Sequence, residues 1–350
     1  MRSLKKLSSA KVTIFIDSMA YLKKILKILL PLVLAVFLFW WVYRDMDFSR
    51  LMDVFRSGLN YEWILLSCVL SVLSMIIRGL RWHQLLDPVC PGCTKKTTIL
   101  SIFVGYAANL LLPRAGEVAR CGVLTKSDGV SFSKSLGTVI TERVFDMICL
   151  LAMTFFTVLF QMGFFRDFFI KNPSSLEKLT SIATSPVLWG GLIGILLVLF
   201  LLFKYLKRFG FYEKLKDFAR RLWEGMKSIV TIKHPILFIV YTILIWGIYF
   251  LMFYIGKYFF PFEIPLGILP MLSGFIMGSF GVVAPVQGGI GAYHFMVIYT
   301  LMFYGISEPD AGIFALVIHG LQTILSLVTG LVAYLWVMAA DKKSKKRVNL

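Results

Sequence analysis

Charged residues crowd into one short stretch of an otherwise apolar sequence. Arg114, Glu117 and Arg120 follow a long apolar run within two helical turns. Charges inside a membrane segment cost free energy and by default indicate function, and the forked donors of arginine match phosphate oxygens. Pro113 and Gly116 in the same stretch break the helix and free backbone groups. The pattern predicts one half of an anion-binding site in a membrane transporter.

Three more charged residues, Glu142, Arg143 and Asp146, lie at the start of the next apolar segment. Glu142 and Asp146 are four residues apart and share a helix face, and Arg143 can reach Asp146 at a spacing of three. Two interpretations remain open. The carboxylates either neutralise the arginines in a buried structural network, or one of them meets a cationic part of a substrate or carries a coupling proton.

A second apolar run, residues 266–284, is interrupted by glycines and resumes at residue 292. Both interruptions contain a Pro-x-x-Gly pattern, at 113–116 and at 285–288. An inverted pair of broken helices that meet near the membrane midplane is typical of a transporter's binding site, and the N-terminus of each returning half-helix favours an anion. The candidate residues at the second break are Gln287, Gly288, Gly289, Gly291 and His294.

Four other polar residues are secondary candidates: Arg78, Arg81, His319 and Gln322. The two arginines could snorkel to lipid phosphates or contact substrate. His294 and His319 lie in apolar helices, where a histidine is more often a satisfied interior residue but could relay protons. Gln287 and Gln322 are candidates for hydrogen bonds to a head group.

The composition is that of a polytopic helical membrane protein. Of 350 residues, 58% are hydrophobic and 16% are charged, whereas a soluble domain is about half apolar and about a quarter charged. The net charge of +18 comes from tails and short loops between apolar segments. This distribution follows the positive-inside rule. It indicates attraction to anionic lipid, not binding of nucleic acid.

No sequence motif indicates hydrolysis or group transfer, so we predict no catalytic residue, no cofactor and no metal. The chain has no soluble domain large enough for a nucleotide-binding fold. Five cysteines do not suggest a disulfide scaffold. Cys90 and Cys93 form a CxxC with His83 nearby, but one such pair is weak support for a metal or redox role.

The apolar windows predict an all-α polytopic membrane protein with about six full spans and two broken, re-entrant hairpins in an inverted-repeat arrangement. Both ends are basic and therefore predicted to be cytoplasmic, which requires an even number of crossings. Eight or nine plain spans is the alternative. The predicted spans are residues 28–43, 61–77, 136–162, 187–203, 235–259 and 311–338, and the predicted hairpins are 99–113 with 116–124 and 266–284 with 292–304.

The remaining segments complete one transmembrane domain, residues 28–340. We expect a basic cytoplasmic segment at 1–27 and a basic cytoplasmic tail at 341–350. Residues 44–56 are predicted to be a short loop and 163–186 an external loop. Apolar residues at spacings of three and four within 204–234 predict an amphipathic helix on the inner leaflet.

Taken together, the motifs resemble the lysylphosphatidylglycerol synthase transmembrane region, a flippase-like family. The resemblance covers about residues 23–340 and is carried by 112–120, 142–146, 285–291 and the basic-aromatic stretch 78–82. It implies an integral inner-membrane protein. In multidomain members this region is assigned to moving an aminoacylated phospholipid to the outer leaflet, beside a soluble aminoacyl-transferase domain. Because this chain has no such domain, the resemblance implies the flippase half alone.

One position departs from the family pattern. Where the family leads us to expect an acidic residue shortly after the Gly-Gly-x-Gly turn, this chain has His294. Specificity for a cationic lipid therefore cannot be carried over.

The sequence thus predicts a flippase that moves a phospholipid or polyprenyl-phosphate-linked lipid across the bacterial cytoplasmic membrane. The alternatives are a membrane-embedded accessory subunit or transferase in lipid or glycolipid modification, and a scaffold that recruits partners. Expected partners are anionic inner-leaflet lipids and either further copies of the chain or a separate lipid-modifying enzyme.

Overall fold

The structure is a computed structural model that describes residues 32–44, 48–112, 114–171 and 232–348, with isolated positions at 29 and between 181 and 223. The described residues form helices and no strand, so the predicted all-helical architecture is confirmed. The helices are α1 (Leu32–Tyr43), α2 (Phe48–Ser57), α3 (Tyr61–Leu86), α4 (Lys95–Leu111), α5 (Ala115–Asp128), α6 (Phe132–Phe160), α7 (Met162–Lys171), α8 (Pro235–Ile255), α9 (Ile268–Val283), α10 (Ala292–Phe303) and α11 (Glu308–Val348).

Four of these helices are long and apolar enough to cross a membrane. They comprise α3, α6, α8 with its 3-10 extension to Tyr258, and α11 as far as Ala340. The hydrocarbon core of a bilayer needs about 20 apolar residues of helix, and each of the four meets that length. The described helices therefore belong to a membrane protein.

Two pairs of packed helices lie on either side of the two predicted breaks, and glycines allow the arms of each pair to pack closely. In the first hairpin, α4 and α5 pack against each other, and a Cβ on Gly116 would overlap the carbonyl oxygen of Gly105. In the second, α9 packs on α10, and a Cβ on Gly281 would overlap the backbone of Tyr293. The glycines that punctuate these segments therefore serve helix packing.

The first hairpin lies between α3 and α11. A Cβ on Gly330 of α11 would overlap Ala107 of α4. Nearer its end, α11 meets the open end of the hairpin, where the Lys96 ammonium lies 4.5 Å from the centre of the Trp336 ring and the Lys126 Nζ lies 3.5 Å from the Met338 Sδ. These contacts join the C-terminal part of α11 to the open end of the first hairpin.

Four of the predicted boundaries were wrong. Residues 48–57, predicted as a loop, form α2, because Leu51, Val54 and Phe55 recur at helical spacing beneath the charges. Residues 163–171, the first part of the predicted external loop 163–186, belong to α7, whose phenylalanines pack on α10. The Phe168 and Phe303 ring centres are 4.4 Å apart.

The other two differences concern helix ends. Helix α3 continues past the predicted end at Ile77 to Leu86, because Arg78 and Arg81 are buried against acidic partners and need no solvent. Helix α11 continues through most of the predicted tail to Val348. The predicted segment 1–27, the span 187–203 and the amphipathic helix 204–234 lie outside the described residues, apart from isolated positions.

Candidate functional site

A buried cluster of charges joins three helices. Arg78 and Arg81 come from α3, Arg120 from α5, and Glu142 and Asp146 from α6. The Glu142 carboxylate lies 2.8 Å from Arg78 Nη2, 3.2 Å from Arg81 Nη2 and 2.6 Å from Arg120 Nη1. Asp146 lies 2.6 Å from Arg78 and 2.7 Å from Arg81. The cluster is an almost fully buried network in which one carboxylate contacts three guanidinium groups.

Helix periodicity explains how these side chains meet. Arg78 and Arg81 are three residues apart on α3, and Glu142 and Asp146 are four apart on α6, so each pair shares one face. Trp82 covers the end of the cluster: its ring lies under the Arg120 guanidinium, 4.5 Å away, and its indole donates to Thr138 at 2.9 Å. The basic-aromatic stretch at 78–82 thus faces the protein interior.

Two tyrosines extend the cluster to further helices. Arg78 Nη1 donates to Tyr106 of α4 at 3.4 Å and to Tyr249 of α8 at 3.2 Å, and the two hydroxyls are 2.7 Å apart. Arg81 also donates to Thr242 of α8 at 3.2 Å. Sequence reasoning missed Tyr106, Tyr249 and Thr242, because a single tyrosine or threonine in an apolar helix carries no signal of its partners.

The cluster holds more positive than negative charge. Three guanidinium groups face two carboxylates, which leaves one excess positive charge. The donors Arg81 Nε, Arg120 Nε and Arg120 Nη2 are buried without a hydrogen-bond partner. A buried donor that lacks a partner costs about 1–3 kcal/mol. Together with the excess positive charge, these donors suit an additional anionic group.

A second, outer pair lies beside the cluster. Arg143 Nη2 is 3.0 Å from Glu117 and Arg143 Nη1 is 3.8 Å from Asp146. The Arg143 side chain is 45% exposed. The predicted contact between Arg143 and Asp146 is therefore present, and the arginines are neutralised chiefly by Glu142 and Asp146, with Glu117 paired to Arg143.

The first break carries an unusual backbone conformation. Arg114 has φ 59° and ψ 13° at the N-cap of α5, and among the described residues it is the one non-glycine residue with positive φ. Such a conformation costs about 1–3 kcal/mol and is common at functional sites. The Arg114 side chain is exposed. Asn109 of α4 supplies the missing cap, because its Oδ1 accepts from the Gly116 N–H at 2.7 Å.

The tips of the two hairpins touch. Gln287 Nε2 donates to the Leu111 carbonyl at 3.1 Å, and Gly288 faces the Leu110 side chain. Left-handed glycines shape the second break, with φ of 57°, 79° and 79° at Gly288, Gly289 and Gly291. Two segments nearly 180 residues apart in the chain thus meet at their points of interruption.

The two histidines form hydrogen bonds with the backbone of the second break. Gly291 N–H donates to His294 Nδ1 at 3.2 Å, and His319 Nε2 lies 2.9 Å from the Gly288 carbonyl, which can only accept. The two imidazole rings are 4.8 Å apart, edge to face. His319 therefore carries its proton on Nε2, and both rings shape the break as interior residues.

The structure separates several of the predicted site residues. Arg114 is exposed at the hairpin tip, whereas Arg120 is buried against Glu142. Among the described residues, Gln322 forms no hydrogen bond with either break and instead ties α11 to α3, because Ser71 Oγ donates to its Oε1 at 2.7 Å. The candidates thus form two groups: the charge cluster, and the meeting point of the two breaks.

The CxxC pair lies in the loop between α3 and α4. Cys93 is buried and Cys90 is half-buried, and both thiols are free. Burial raises the pKa of the Cys93 thiol, so its reactive thiolate is scarce at neutral pH. Within the described ranges no three His, Cys, Asp or Glu residues are grouped so that they could hold a metal ion.

Comparisons with known proteins indicate a membrane protein. The chain is similar to a UPF0104 membrane protein of Pyrococcus horikoshii, with 29% identity over 131 residues, which cover 36% of this chain and 38% of the relative. No solved structure gives a significant match. Residues 28–330 match the family described as the lysylphosphatidylglycerol synthase TM region. Because this match spans most of the sequence, the chain belongs to the lysylphosphatidylglycerol synthase transmembrane-region family.

Proposed function

We propose that this protein is a lipid flippase, which moves a phospholipid or a polyprenyl-phosphate-linked lipid across the cytoplasmic membrane. The observation that carries the proposal is the contact between the two hairpin tips at Gln287 and Leu111. Broken helices that meet in this way are the usual setting of a transporter's binding site, because their free backbone groups and helix ends can serve a charged substrate.

In the proposed topology the two hairpins are re-entrant and enter from opposite sides. The open end of the first hairpin carries Lys95, Lys96, Lys126 and Lys134 nearby, which favours the cytoplasmic side. The open end of the second hairpin has no comparable group of several lysines. Six full spans then bring both termini to the cytoplasm, and the two tips meet inside the membrane.

The head-group phosphate would first meet Arg114. This side chain projects from the first tip, forms no ion pair with the described residues, and sits at the N-terminus of α5, whose dipole favours an anion. The strained conformation of Arg114 supports a functional role, because a glycine at this position would remove the strain. The buried cluster around Arg120 lies one to two turns further along the same helix.

Three variants of Arg114 separate charge from folding. In proteoliposomes, Arg114→Ala is expected to slow translocation of a fluorescent phospholipid by at least about tenfold, because a charge-assisted hydrogen bond contributes about 1.5–3 kcal/mol. Arg114→Lys should retain part of the rate. Arg114→Gly should slow transport as Ala does, yet raise the free energy of unfolding by about 1 kcal/mol, since glycine tolerates positive φ.

The measurement follows the fraction of fluorescent lipid that dithionite can reach with time, and thermal unfolding in detergent reports stability. Arg56→Ala is the control, because Arg56 is exposed on α2, remote in sequence from both breaks, and its contact with Asp53 is a long 3.8 Å. Normal translocation by both Arg114→Ala and Arg114→Gly would overturn the assignment of Arg114. A wild-type protein that forms a lipid product from an added donor would favour a transferase instead.

A further inference from the structure

Two ion pairs of opposite polarity hold the seam between α5 and α6. In the outer pair, Glu117 of α5 accepts from Arg143 of α6 at 3.0 Å, with side chains 20% and 45% exposed. In the inner pair, Arg120 of α5 donates to Glu142 of α6 at 2.6 Å, and both side chains are buried. Each helix therefore presents one acid and one base to the other.

Each outer charge has an alternative partner on its own helix. On α5, Arg120 follows Glu117 by three residues, and on α6, Asp146 follows Arg143 by three and already lies 3.8 Å from it. Pairs at this spacing can form within a helix. Opening the seam at its outer edge therefore leaves Arg143 with Asp146 as a partner, which lowers the electrostatic cost.

Unused donors lie directly behind the outer pair. Arg120 Nε and Nη2 are buried and have no hydrogen-bond partner, and the same is true of Arg81 Nε. Glu117 Oε2, an acceptor, is also buried without a partner. The cluster has one excess positive charge. A guanidinium with two open donors can bind phosphate in the bidentate manner that makes such contacts strong, so the inner cluster can accept an anion.

The surface on either side of the seam suits lipid chains. Val118 of α5 and Val144 of α6, each next to an outer-pair residue, are 55% and 46% exposed. Apolar side chains exposed on a membrane protein face hydrocarbon. A lipid could thus keep its acyl chains in the bilayer while its head group passes between the two helices.

We propose that the seam between α5 and α6 is the lateral entrance through which the phosphate of a lipid head group reaches Arg120. The outer pair of Glu117 and Arg143 closes the entrance, and the phosphate takes the open donors of Arg120. This inference rests on the proposed function and adds to it a point of access, a ligand atom and a substrate class, namely a phosphate-bearing lipid.

The test locks the seam with a reversible cross-link. Glu117→Cys and Arg143→Cys are introduced together after replacement of the native cysteines, and a cleavable bis-methanethiosulfonate joins the new thiols in proteoliposomes. We expect the cross-link to lower the rate of phospholipid translocation at least tenfold and reduction to restore it. The matched control is Arg50→Cys with Asp310→Cys, because this pair is also an accessible ion pair, of 2.6 Å, between two helices, α2 and α11; its cross-link should leave the rate unchanged.

The outcomes distinguish the entrance from the function. If the cross-linked protein translocates lipid as fast as the protein without the cross-link, the entrance is overturned and the flippase proposal stands. A wild-type protein that moves no lipid would overturn the function itself. If the reduced double-cysteine variant is inactive, the uncharged variant Glu117→Gln with Arg143→Gln decides. Activity of this variant is expected because the loss of both charges leaves the seam free to open and Arg120 unchanged, and its inactivity in a folded protein contradicts the entrance.

Discussion

Glu142→Gln is expected to destabilise the folded protein by about 3–5 kcal/mol, because it leaves buried charges without compensation. Glu142 is fully buried and bridges Arg78, Arg81 and Arg120 at 2.6–3.2 Å. Glutamine keeps the shape but not the charge. Asp146 would then be the one carboxylate left for three guanidinium groups.

Thermal unfolding in detergent, followed by size-exclusion profiles, measures this effect. Glu62→Gln is the control, since Glu62 is an exposed acid in the first turn of α3, and its unfolding temperature should match that of the wild type. Adding Arg120→Met to Glu142→Gln should recover part of the loss, because a balanced removal of both partners costs less than removal of one. Equal stability of Glu142→Gln and wild type would show that the cluster is not a charge-balanced unit.

Gly116→Ala is expected to destabilise the first hairpin by about 1–3 kcal/mol, the usual effect of overpacking. The added Cβ would overlap the Gly105 carbonyl oxygen and the Asn109 side chain. Backbone cannot yield as a flexible side chain can, so α4 and α5 must separate. That separation would also lengthen the bond from the Gly116 N–H to Asn109 and displace Arg114 at the tip.

Gly122→Ala provides a control in the same helix. A Cβ at Gly122 meets nothing within 4 Å, so the change should be neutral or raise the free energy of unfolding by about 0.5–1 kcal/mol, the gain expected when alanine replaces glycine in a helix. The unfolding temperature and the translocation rate should therefore be lower for Gly116→Ala than for Gly122→Ala. A Gly116→Ala protein as stable and active as Gly122→Ala would contradict close packing of the two arms.

The hairpins could be predicted because their signals are local. An apolar run, a proline-glycine interruption and a second apolar run stand next to one another in the sequence, and this pattern located both breaks. The short helix α2 was missed because its charges, on one face, masked the apolar residues on the other. The helix α7 was missed because its phenylalanines gain their burial from contact with α10, which is distant in sequence.

The residues of the candidate site could be predicted from the sequence, but the ion pairs that they form could not. Charges in apolar segments identified Arg78, Arg81, Arg120, Glu142 and Asp146. Which carboxylate serves which guanidinium depends on the packing of α3, α5 and α6, and spacing along one helix cannot reveal it. Arg114 and Arg120 look alike in the sequence, yet the left-handed conformation at the tip exposes the first while the interior encloses the second.

The length of α11 has a consequence for the C-terminus. The contacts of Trp336 with Lys96 and of Met338 with Lys126 join α11 to the first hairpin, and ten more helical residues follow to Val348. At about 1.5 Å per residue they extend about 15 Å, roughly twice the Debye length of about 8 Å in physiological salt. Charges at the far end of this segment are therefore largely screened from the ammonium groups of Lys96 and Lys126 at the open end of the first hairpin.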